Sequence, residues 1–481
     1  MNILVLNPST SSTKNVVRDV LYGCWCSGKR IGGGTVPPFA LLQVAAVLKE
    51  DGNDVGFLDA QAEQTAVEDI RSRIENTNMV IISTSTMTFE EDANTLQSFK
   101  DVNPDILTVV FGSHPTFLPE ATLSRSGVDV AVRYEPEYVI RDIAKFIKQG
   151  RCWKEVQGIA FKVDNHVCKN PQYPFIKDLD ELPFLDLSML PKDIDYFNPI
   201  VRRMPYITTS TSRGCPGRCS FCTAPAFDGD HIRYKTAEYV IKEIEYFMNN
   251  GFKEVYFRDD TFFVNRKRDR KICKEIVENR FDISWIANAR IGMIDKETME
   301  YAKEAGCHTI KFGVESGVQS ILNRSRKGYQ IRQAHDTFKW ANEVGMATHA
   351  HCMLGMPGDN ETTIKETIKF VKELNTTTAT FGICTPYPGA PLYDDVLKIF
   401  PEIGDGSSSD LSKLHTDGTF NEVYTDIKKE DLERYVKKAY RSFYMRPKVF
   451  LDFIKQIRSI EDIKRITLAG ARVLDFALFG N

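Results

Sequence analysis

Short apolar runs alternate with longer amphipathic segments through the first part of the chain. The runs occupy residues 2–8, 54–59, 78–83, 106–111 and 128–132, and most of them are rich in valine and isoleucine. Strands that are buried on both faces read as continuous apolar runs, and the helices between them cover the sheet. The pattern therefore predicts a doubly wound, Rossmann-like α/β domain over residues 1–150, with helices at 39–50 and 137–148.

A second alternation of strands and helices occupies residues 206–395. Its apolar runs lie at 206–210, 253–258, 284–289, 309–314, 347–354 and 379–384. Strand–helix repeats of this spacing predict a partial (β/α)6 barrel, in which functional residues gather at the carboxyl ends of the strands.

The segments beside the barrel have other compositions. Residues 151–205 contain a predicted hairpin and then a stretch rich in proline and acidic residues, which predicts an extended connector that does not pack. Residues 396–481 contain a Gly- and Ser-rich break, an amphipathic helix at 429–444, a second helix from Val449 and an apolar tail. We expect a C-terminal helical cap that closes the barrel mouth. The alternative is that this basic, amphipathic segment attaches to a membrane surface.

Length, charge and cysteine usage exclude several classes of protein. The 481 residues are enough for several domains, and the net charge of −3 provides no basic face for nucleic acid. The first apolar run lacks the basic residues of a signal peptide, and no run approaches the roughly 20 residues of a membrane span. The 11 cysteines are odd in number and scattered, unlike a secreted disulfide framework. We expect a cytoplasmic protein with no nucleic-acid partner, and peripheral attachment to a membrane is the alternative location.

Three closely spaced cysteines follow the first strand of the second series. Cys215, Cys219 and Cys222 have the spacing C-x3-C-x2-C. Three thiolates on one loop can ligate three irons of a four-iron cluster and leave the fourth iron open to another ligand. The alternatives are a zinc site, which usually has a second Cys/His pair that does not follow here, or three unrelated thiols. A cluster with a purely structural role is a further alternative.

The stretch from Ser212 to Thr223 resembles the signature of the radical S-adenosylmethionine (SAM) enzymes. The resemblance implies that the three cysteines are catalytic and hold a [4Fe-4S] cluster, and that SAM binds its open iron. Many members have Gly-Gly-Glu where this chain has Asp259-Asp260. The SAM contacts that the resemblance implies are Phe221 near the adenine, Asp259 or Asp260 at the amino group, Arg290 at the carboxylate, Glu315 and Ser316 at the ribose or methionyl end, and Gly355 beside the adenine.

The strand ends of the first domain resemble those of the cobalamin-binding domain that precedes many radical SAM enzymes. The chain lacks the D-x-H-x-x-G motif of proteins that ligate cobalt through histidine, because Pro115-Thr116-Phe117 follows His114. The resemblance therefore implies cobalamin bound without a histidine ligand. The contacts it implies are Ser83, Thr84, Ser85, Gly112, Ser113, His114 and Glu135.

Together these features resemble a cobalamin-dependent radical SAM methyltransferase that acts on an unactivated carbon through a 5′-deoxyadenosyl radical and methylcobalamin. The implied partners are a small-molecule or lipid-like substrate and an electron donor such as flavodoxin or ferredoxin. A cobalamin-linked ring-forming or oxidative cyclase is the alternative, as is a radical SAM enzyme whose first domain no longer binds cobalamin. A methylthiotransferase needs further N-terminal cluster cysteines and a C-terminal RNA-binding domain, and neither is evident.

Two further motifs leave alternatives open. Cys24 and Cys26 stand in a Gly-rich loop, which is either a lid near the cofactor or a metal or redox site. His349 and His351 alternate with apolar neighbours, so both are expected to face the barrel interior. Either could contact substrate or shuttle a proton, and the alternative is that they are ordinary buried histidines.

Overall fold

The structure is a computed structural model, and it describes residues 1–9, 17–18, 34–194, 196–404, 420–454, 457 and 460–479. The predictions for Cys24 and Cys26, and those for residues 405–409 of the Gly- and Ser-rich break, lie outside the described residues.

A sheet of seven described strands organises the N-terminal part of the chain. Its strands are β1 (Asn2–Asn7), β2 (Asp54–Asp59), β3 (Met79–Ser83), β4 (Leu107–Phe111), β5 (Val130–Val132), β6 (Ile159–Val163) and β7 (His166–Lys169). They lie in the order β2-β1-β3-β4-β5-β6-β7. Strands β1 to β5 are parallel, whereas β6 and β7 are antiparallel. The hairpin predicted within the connector therefore extends the first sheet.

Helices cover both faces of this sheet, as the continuous apolar strands predicted. They are α1 (Phe39–Glu50), α2 (Ala60–Glu63), α3 (Val67–Ile74), α4 (Phe89–Lys100), α5 (Ser113–Phe117), α6 (Pro119–Ser124) and α7 (Glu137–Lys148). Helices α1 and α7 pack on one face, whereas α3 and α4 pack on the other. The doubly wound domain and the helices at 39–50 and 137–148 are confirmed.

A second, wholly parallel sheet forms the partial barrel. Its strands are β8 (Tyr206–Thr209), β11 (Glu254–Phe257), β12 (Ser284–Ala289), β13 (Cys307–Glu315), β14 (Ala347–Leu354) and β15 (Thr378–Ile383), and a separate two-stranded ribbon is formed by β9 (Ser212–Arg213) and β10 (Arg233–Tyr234). The sheet order is β15-β14-β13-β12-β11-β8, which confirms the six predicted strands. The helices of this part are α8 (Ala224–Asp228), α9 (Ala237–Asn249), α10 (Arg266–Glu278), α11 (Lys296–Glu304), α12 (Gln319–Arg324), α13 (Ile331–Val344), α14 (Glu361–Glu373) and α15 (Pro391–Leu397).

The two faces of the barrel strands differ in burial. On β13, Ile310, Phe312 and Val314 are fully buried under the surrounding helices. Lys311 and Gly313 alternate with them, face the interior and are partly exposed. Because side chains of a strand alternate between faces, this pattern indicates a barrel interior that solvent reaches.

The prediction of an unpacked connector was wrong. Leu179 and Leu182 are buried in a small cluster against α1, and Leu185 joins the core of the barrel domain. Further along, Tyr196 and Val201 pack against Tyr206, Tyr256 and Ile286 of the barrel strands. The prolines prevent regular structure, but the leucines and aromatic residues between them are large enough to pack against both domains.

The C-terminal helices are α16 (Lys429–Tyr444), α17 (Pro447–Ile454) and α18 (Ile460–Phe479). They form the predicted helical layer, and closure of the barrel mouth stays a prediction. Helix α16 packs on the outside of the barrel sheet. Its Tyr440 and Phe443 pack on Phe381, which lies on the outer face of β15. An open barrel leaves β15 as an edge strand, and α16 covers it. Within the described ranges, no helix combines the length and apolar character needed to cross a bilayer.

One hydroxyl group joins α16 to the edge strand. The Tyr444 hydroxyl donates to the Ala379 carbonyl (2.7 Å) and accepts from the Ala379 amide (3.1 Å). We expect Tyr444→Phe to lower the free energy of unfolding by about 1–3 kcal/mol, because both backbone groups lose this partner. Urea unfolding measures the change, and Tyr301→Phe, at a half-buried ring on α11, serves as control. Equal loss in the two variants would contradict this assignment.

Candidate active site

One carboxylate holds the start of the cysteine loop. Asp259 follows β11, which lies beside β8, and its side chain is buried. It accepts hydrogen bonds from the Thr211 amide (3.1 Å), the Thr211 hydroxyl (2.8 Å) and the Ser212 hydroxyl (2.5 Å). Asp259 therefore fixes the chain just before the cysteines, and its predicted contact with the SAM amino group stays a prediction.

Two donors point at the cysteine sulfurs. The Gly217 amide donates to Cys215 Sγ (3.4 Å), and Arg290 Nη1 donates to Cys219 Sγ (3.3 Å). Burial raises the pKa of the Cys215 thiol and that of the Cys222 thiol, so both protons remain until a metal displaces them. The cationic and amide donors then stabilise the negative charge of the bound sulfurs.

This donor set fits an iron–sulfur cluster. In the described part of the chain, no three His, Cys, Asp or Glu side chains converge closely enough to hold a single metal ion. A four-iron cluster makes a different demand, because each thiolate binds its own iron. Three thiols from one loop, with a guanidinium beside them, meet that demand.

Arg290 lies directly against the cysteine loop. A Cβ at position 217 would be 2.3 Å from Arg290 Nη1, so only glycine permits this approach. Arg290 Nη2 donates to the Lys327 carbonyl (2.6 Å), and its buried Nε has no hydrogen-bond partner among the described residues. A buried guanidinium with an unused N–H group fits an anionic ligand such as the SAM carboxylate.

Lys327 joins the predicted SAM residues into one group. Its Nζ lies 2.7 Å from Glu315 Oε1 and 5.9 Å from the centre of the Phe221 ring. With the Arg290 contact, the structure thus brings Phe221, Arg290 and Glu315 together beside Cys219. Lys327 itself was missed, because it lies in the loop between α12 and α13 and belongs to no motif.

Two other predicted SAM residues lie outside this group. Ser316 Oγ is 3.1 Å from Thr367 Oγ1 on α14 and accepts from the Val318 amide. A Cβ on Gly355 would be 2.8 Å from both Asn421 and Leu432, so the C-terminal segment covers this glycine. The SAM contacts of Ser316 and Gly355 stay predictions.

Asp260, the remaining predicted SAM residue, pairs with another carboxyl group. It hydrogen-bonds to Asp228, and burial together with the charge of Asp259 raises the pKa of Asp260 to about 6. Burial also raises the pKa of Asp228 well above its ordinary value. Close carboxyl groups of this kind share a proton near neutral pH.

A solvent-open cleft lies between the two sheets, and Asp260 and Asp228 stand in its wall. Residues of both domains line it, including Ser83, Gly112, Ser113 and Glu135 at the strand ends of the first domain, and Ser210, Ser212, Arg213 and Arg258 of the barrel. The carboxyl ends of the first sheet therefore face, across one cleft, the residues that lead into the cysteine loop.

The predicted cobalamin contacts divide into two groups. Ser83, Gly112, Ser113 and Glu135 line the cleft, and the buried Ser83 hydroxyl has no partner among the described residues. In the other group, the Thr84 hydroxyl donates to Asp92 (2.7 Å), and the Ser85 hydroxyl lies 3.2 Å from that of Thr88. An unsatisfied hydroxyl beside small residues fits a large planar cofactor, and all seven contacts stay predictions.

His114 is buried inside the first domain. Its ring stacks on Phe89 with 4.3 Å between ring centres, and its Nδ1 lies 3.3 Å from the Thr86 hydroxyl. Burial lowers the pKa of His114 to about 3, so the ring is neutral. His114 is not among the described residues that line the cleft, and the absence of a histidine ligand to cobalt stays a prediction.

An ionic clamp between the domains was not predicted. Arg213 binds Glu135 (2.8 Å) and Glu137 (2.6 Å), and Arg233 also binds Glu135 (2.7 Å). Glu135 Oε2 accepts from the Ile176 amide (2.8 Å) of the connector. We call Arg213, Arg233, Glu135 and Glu137 the interdomain clamp. The partners are distant in sequence, and nothing in their local pattern marks them as a pair.

Comparison with known proteins identifies the family. A model of the radical SAM superfamily matches residues 209–371, and a model of the B12 binding domain matches residues 32–144. An uncharacterised methyltransferase of Pyrococcus horikoshii is 32% identical over 456 residues, which cover 93% of each chain. This chain belongs to the radical SAM enzymes that carry a B12-binding domain. Its cofactors are accordingly a [4Fe-4S] cluster, SAM and cobalamin.

Other relatives and solved structures share this architecture. The anaerobic magnesium-protoporphyrin IX monomethyl ester cyclase of Rubrivivax gelatinosus is 28% identical over 439 residues, covering 87% of this chain and 76% of its own. The radical SAM methyltransferase TsrM of Kitasatospora setae has a TM-score of 0.66 at 16% identity, covering 83% of this chain and 75% of that one. The radical enzyme OxsB has a TM-score of 0.70 at 15% identity, covering 98% and 72%. These structures confirm the predicted fold.

The interdomain clamp yields a stability prediction. Arg213→Met leaves the buried Glu137 without its cation, so we expect a loss of about 3–5 kcal/mol in the free energy of unfolding. Arg125→Met removes an exposed ion pair with Glu90 and is expected to cost at most about 1 kcal/mol. The double variant Arg213→Met/Glu137→Gln should recover part of the loss. Urea unfolding of the three variants tests the clamp, and a loss equal to that of Arg125→Met would contradict it.

Proposed function

We propose that the enzyme transfers a methyl group to an unactivated carbon of its substrate. The observation that carries the proposal is the shared cleft. Strand ends of the B12-binding domain form one wall, and the residues that lead into the cysteine loop form the other. A methyl donor in the first domain and a radical generated at the loop would then meet one substrate.

When bound, the cluster supplies the electron that cleaves SAM to a 5′-deoxyadenosyl radical, and cobalamin carries the methyl group. The chain's own residues would bind and orient the reactants. Arg290 would hold the SAM carboxylate through its unused N–H, and Asp260 would accept from the SAM amino group. The Glu315–Lys327 ion pair would line the side of the SAM site next to Phe221.

Asp260 suits an ammonium ligand for an electrostatic reason. Its carboxyl shares a proton with Asp228, and a nearby positive charge lowers the pKa of both groups. Arrival of the SAM amino group would therefore favour the ionised pair.

The names of the relatives support methyl transfer and also a second candidate. The Pyrococcus relative and TsrM are named as methyltransferases, whereas the Rubrivivax relative is named as a cyclase. A cobalamin-linked cyclase would use the same cleft without transferring a methyl group to product. The two functions differ in the products they form from SAM.

An external electron donor is part of the proposal. Each cleavage of SAM consumes an electron that the chain must receive from outside, and a flavodoxin or ferredoxin would supply it. The proposed substrate is a small or lipid-like molecule.

Products of SAM distinguish methyl transfer from cyclisation. Each methyl group transferred consumes one SAM as methyl donor and one as radical source. With its substrate, we therefore expect the anaerobically reconstituted enzyme to release S-adenosylhomocysteine and 5′-deoxyadenosine in about equal amounts. Chromatography of the reaction measures both, and Cys219→Ser, which removes a cluster ligand, is expected to lose 5′-deoxyadenosine. Release of 5′-deoxyadenosine alone would favour the cyclase and refute methyl transfer.

Attachment of the C-terminal helices to a membrane surface stays a prediction. It is supported by exposed apolar side chains on α17 and beyond, among them Phe450, Leu451, Ile454 and Ile457. Anionic liposomes should float the full-length chain but not one that ends before Val449. Equal flotation of the two chains would refute attachment.

A further inference from the structure

Arg290 reaches the cysteine loop from the end of β12. Its Nη1 donates to Cys219 Sγ at 3.3 Å. Each of the other two cluster cysteines receives a neutral donor, which is the backbone amide of Gly217 for one and that of Ala224 for the other. Cys219 is therefore the cluster ligand whose sulfur has a charged donor.

The positive charge of Arg290 is not spent on a carboxylate. Among the described residues, no carboxylate forms an ion pair with it, and its Nη2 donates to the Lys327 carbonyl (2.6 Å). The acidic residue of the same group, Glu315, is paired with the Lys327 ammonium (2.7 Å). A guanidinium stays protonated at any ordinary pH. Its charge therefore acts on Cys219, and it acts strongly because this cysteine is buried.

Backbone groups hold the guanidinium on two sides. A Cβ at position 217 would lie 2.3 Å from Nη1, so the absence of a side chain on Gly217 lets Arg290 approach the sulfur. On the other side, the Lys327 carbonyl anchors Nη2. These two contacts fix the place from which Nη1 donates to Cys219.

The loop that supplies this carbonyl is itself bound to the cysteine loop. The Ser220 amide donates to the Ser325 carbonyl (3.0 Å). Arg326, which follows, has a left-handed backbone with a φ of 53°. Because this conformation favours glycine, the contacts around the loop must hold it there. The carbonyl that accepts from Arg290 belongs to the next residue, Lys327.

Reduction changes the charge that Arg290 faces. The cluster accepts one electron, no bond forms or breaks, and the negative charge of the cluster with its thiolates increases by one. A positive donor at a ligand sulfur stabilises this reduced state more than the oxidised state. The contact with Cys219 therefore raises the reduction potential.

We propose that Arg290 is a positioning residue that acts through Cys219 to raise the reduction potential of the cluster. Its Nε has no partner among the described residues and stays available to the SAM carboxylate, so the two roles use different N–H groups. The potential decides how readily an external one-electron donor reduces the cluster. This role is the same in a methyltransferase and in a cyclase.

A potentiometric titration followed by electron paramagnetic resonance measures the potential. The anaerobically reconstituted holoenzyme is titrated without SAM, with a europium(II) chelate as the reductant, and the signal of the reduced cluster is recorded. We expect Arg290→Met to make reduction about tenfold less favourable, which lowers the midpoint potential by about 59 mV for a one-electron couple.

Gly217→Ala tests the contact without removing the charge. The backbone of Gly217 lies outside the left-handed region, so alanine is allowed there, and its Cβ would push away the flexible end of Arg290. We expect the potential to fall in this variant as well. Arg218→Met is the control in the same loop. It removes an exposed guanidinium that is paired with Asp230 (2.7 Å), so its potential should stay near the native value.

Cluster absorbance shows whether each variant has assembled its cluster, and Gly217→Ala remains decisive if Arg290→Met fails to do so. A native potential in Arg290→Met or in Gly217→Ala overturns the proposal. A fall of the same size in Arg218→Met also overturns it, because any change to the loop would then have this effect. Since SAM is absent from the titration, the result is independent of methyl transfer, which the products of SAM test separately.

Discussion

Arg213 is part of the strand that leads into the cysteine loop, and its guanidinium joins two glutamates of the B12-binding domain. Glu135 and Glu137 follow β5 of the first sheet, so the clamp ties the carboxyl end of that sheet to the cluster ligands. Burial alone would raise the pKa of Glu135. The positive charges of Arg213 and Arg233 outweigh burial and hold this pKa below its ordinary value. The ionised Glu135 therefore stabilises the folded protein. This stabilisation is complete above the ordinary glutamate pKa of about 4.3, and it is lost as the pH falls through the lower pKa of Glu135 in the folded state.

The interdomain clamp holds the strand ends of the B12-binding domain next to the segment that leads into the cysteine loop. On one side of the loop lies the cleft to the B12-binding domain. Asp259 holds the chain before the cysteines, and Arg290 touches Cys219 from the barrel side. The cysteine loop is therefore held from the first domain, from β11 and from the end of β12.

The sequence predicted what local pattern determines. Continuous apolar runs set the strands of both sheets, and the spacing of Cys215, Cys219 and Cys222 indicated the cluster. Contacts between distant segments were not predictable in the same way. The packing of Leu185 and Tyr196 depends on surfaces that exist only after both domains fold. Lys327 and the clamp likewise depend on which loops meet. The position of Asp259 after a strand was predicted, but its hydrogen bonds to Thr211 and Ser212 were not.

The central claim is that cobalamin and the cluster occupy opposite walls of one cleft. Electron paramagnetic resonance of the holoenzyme, with the cluster reduced and cobalamin in the cob(II) state, measures their proximity directly. The account predicts magnetic interaction between the two centres, together with a cobalt signal that lacks splitting from a histidine nitrogen. Two signals that simply add, as from separated centres, or a histidine nitrogen on cobalt, would contradict it.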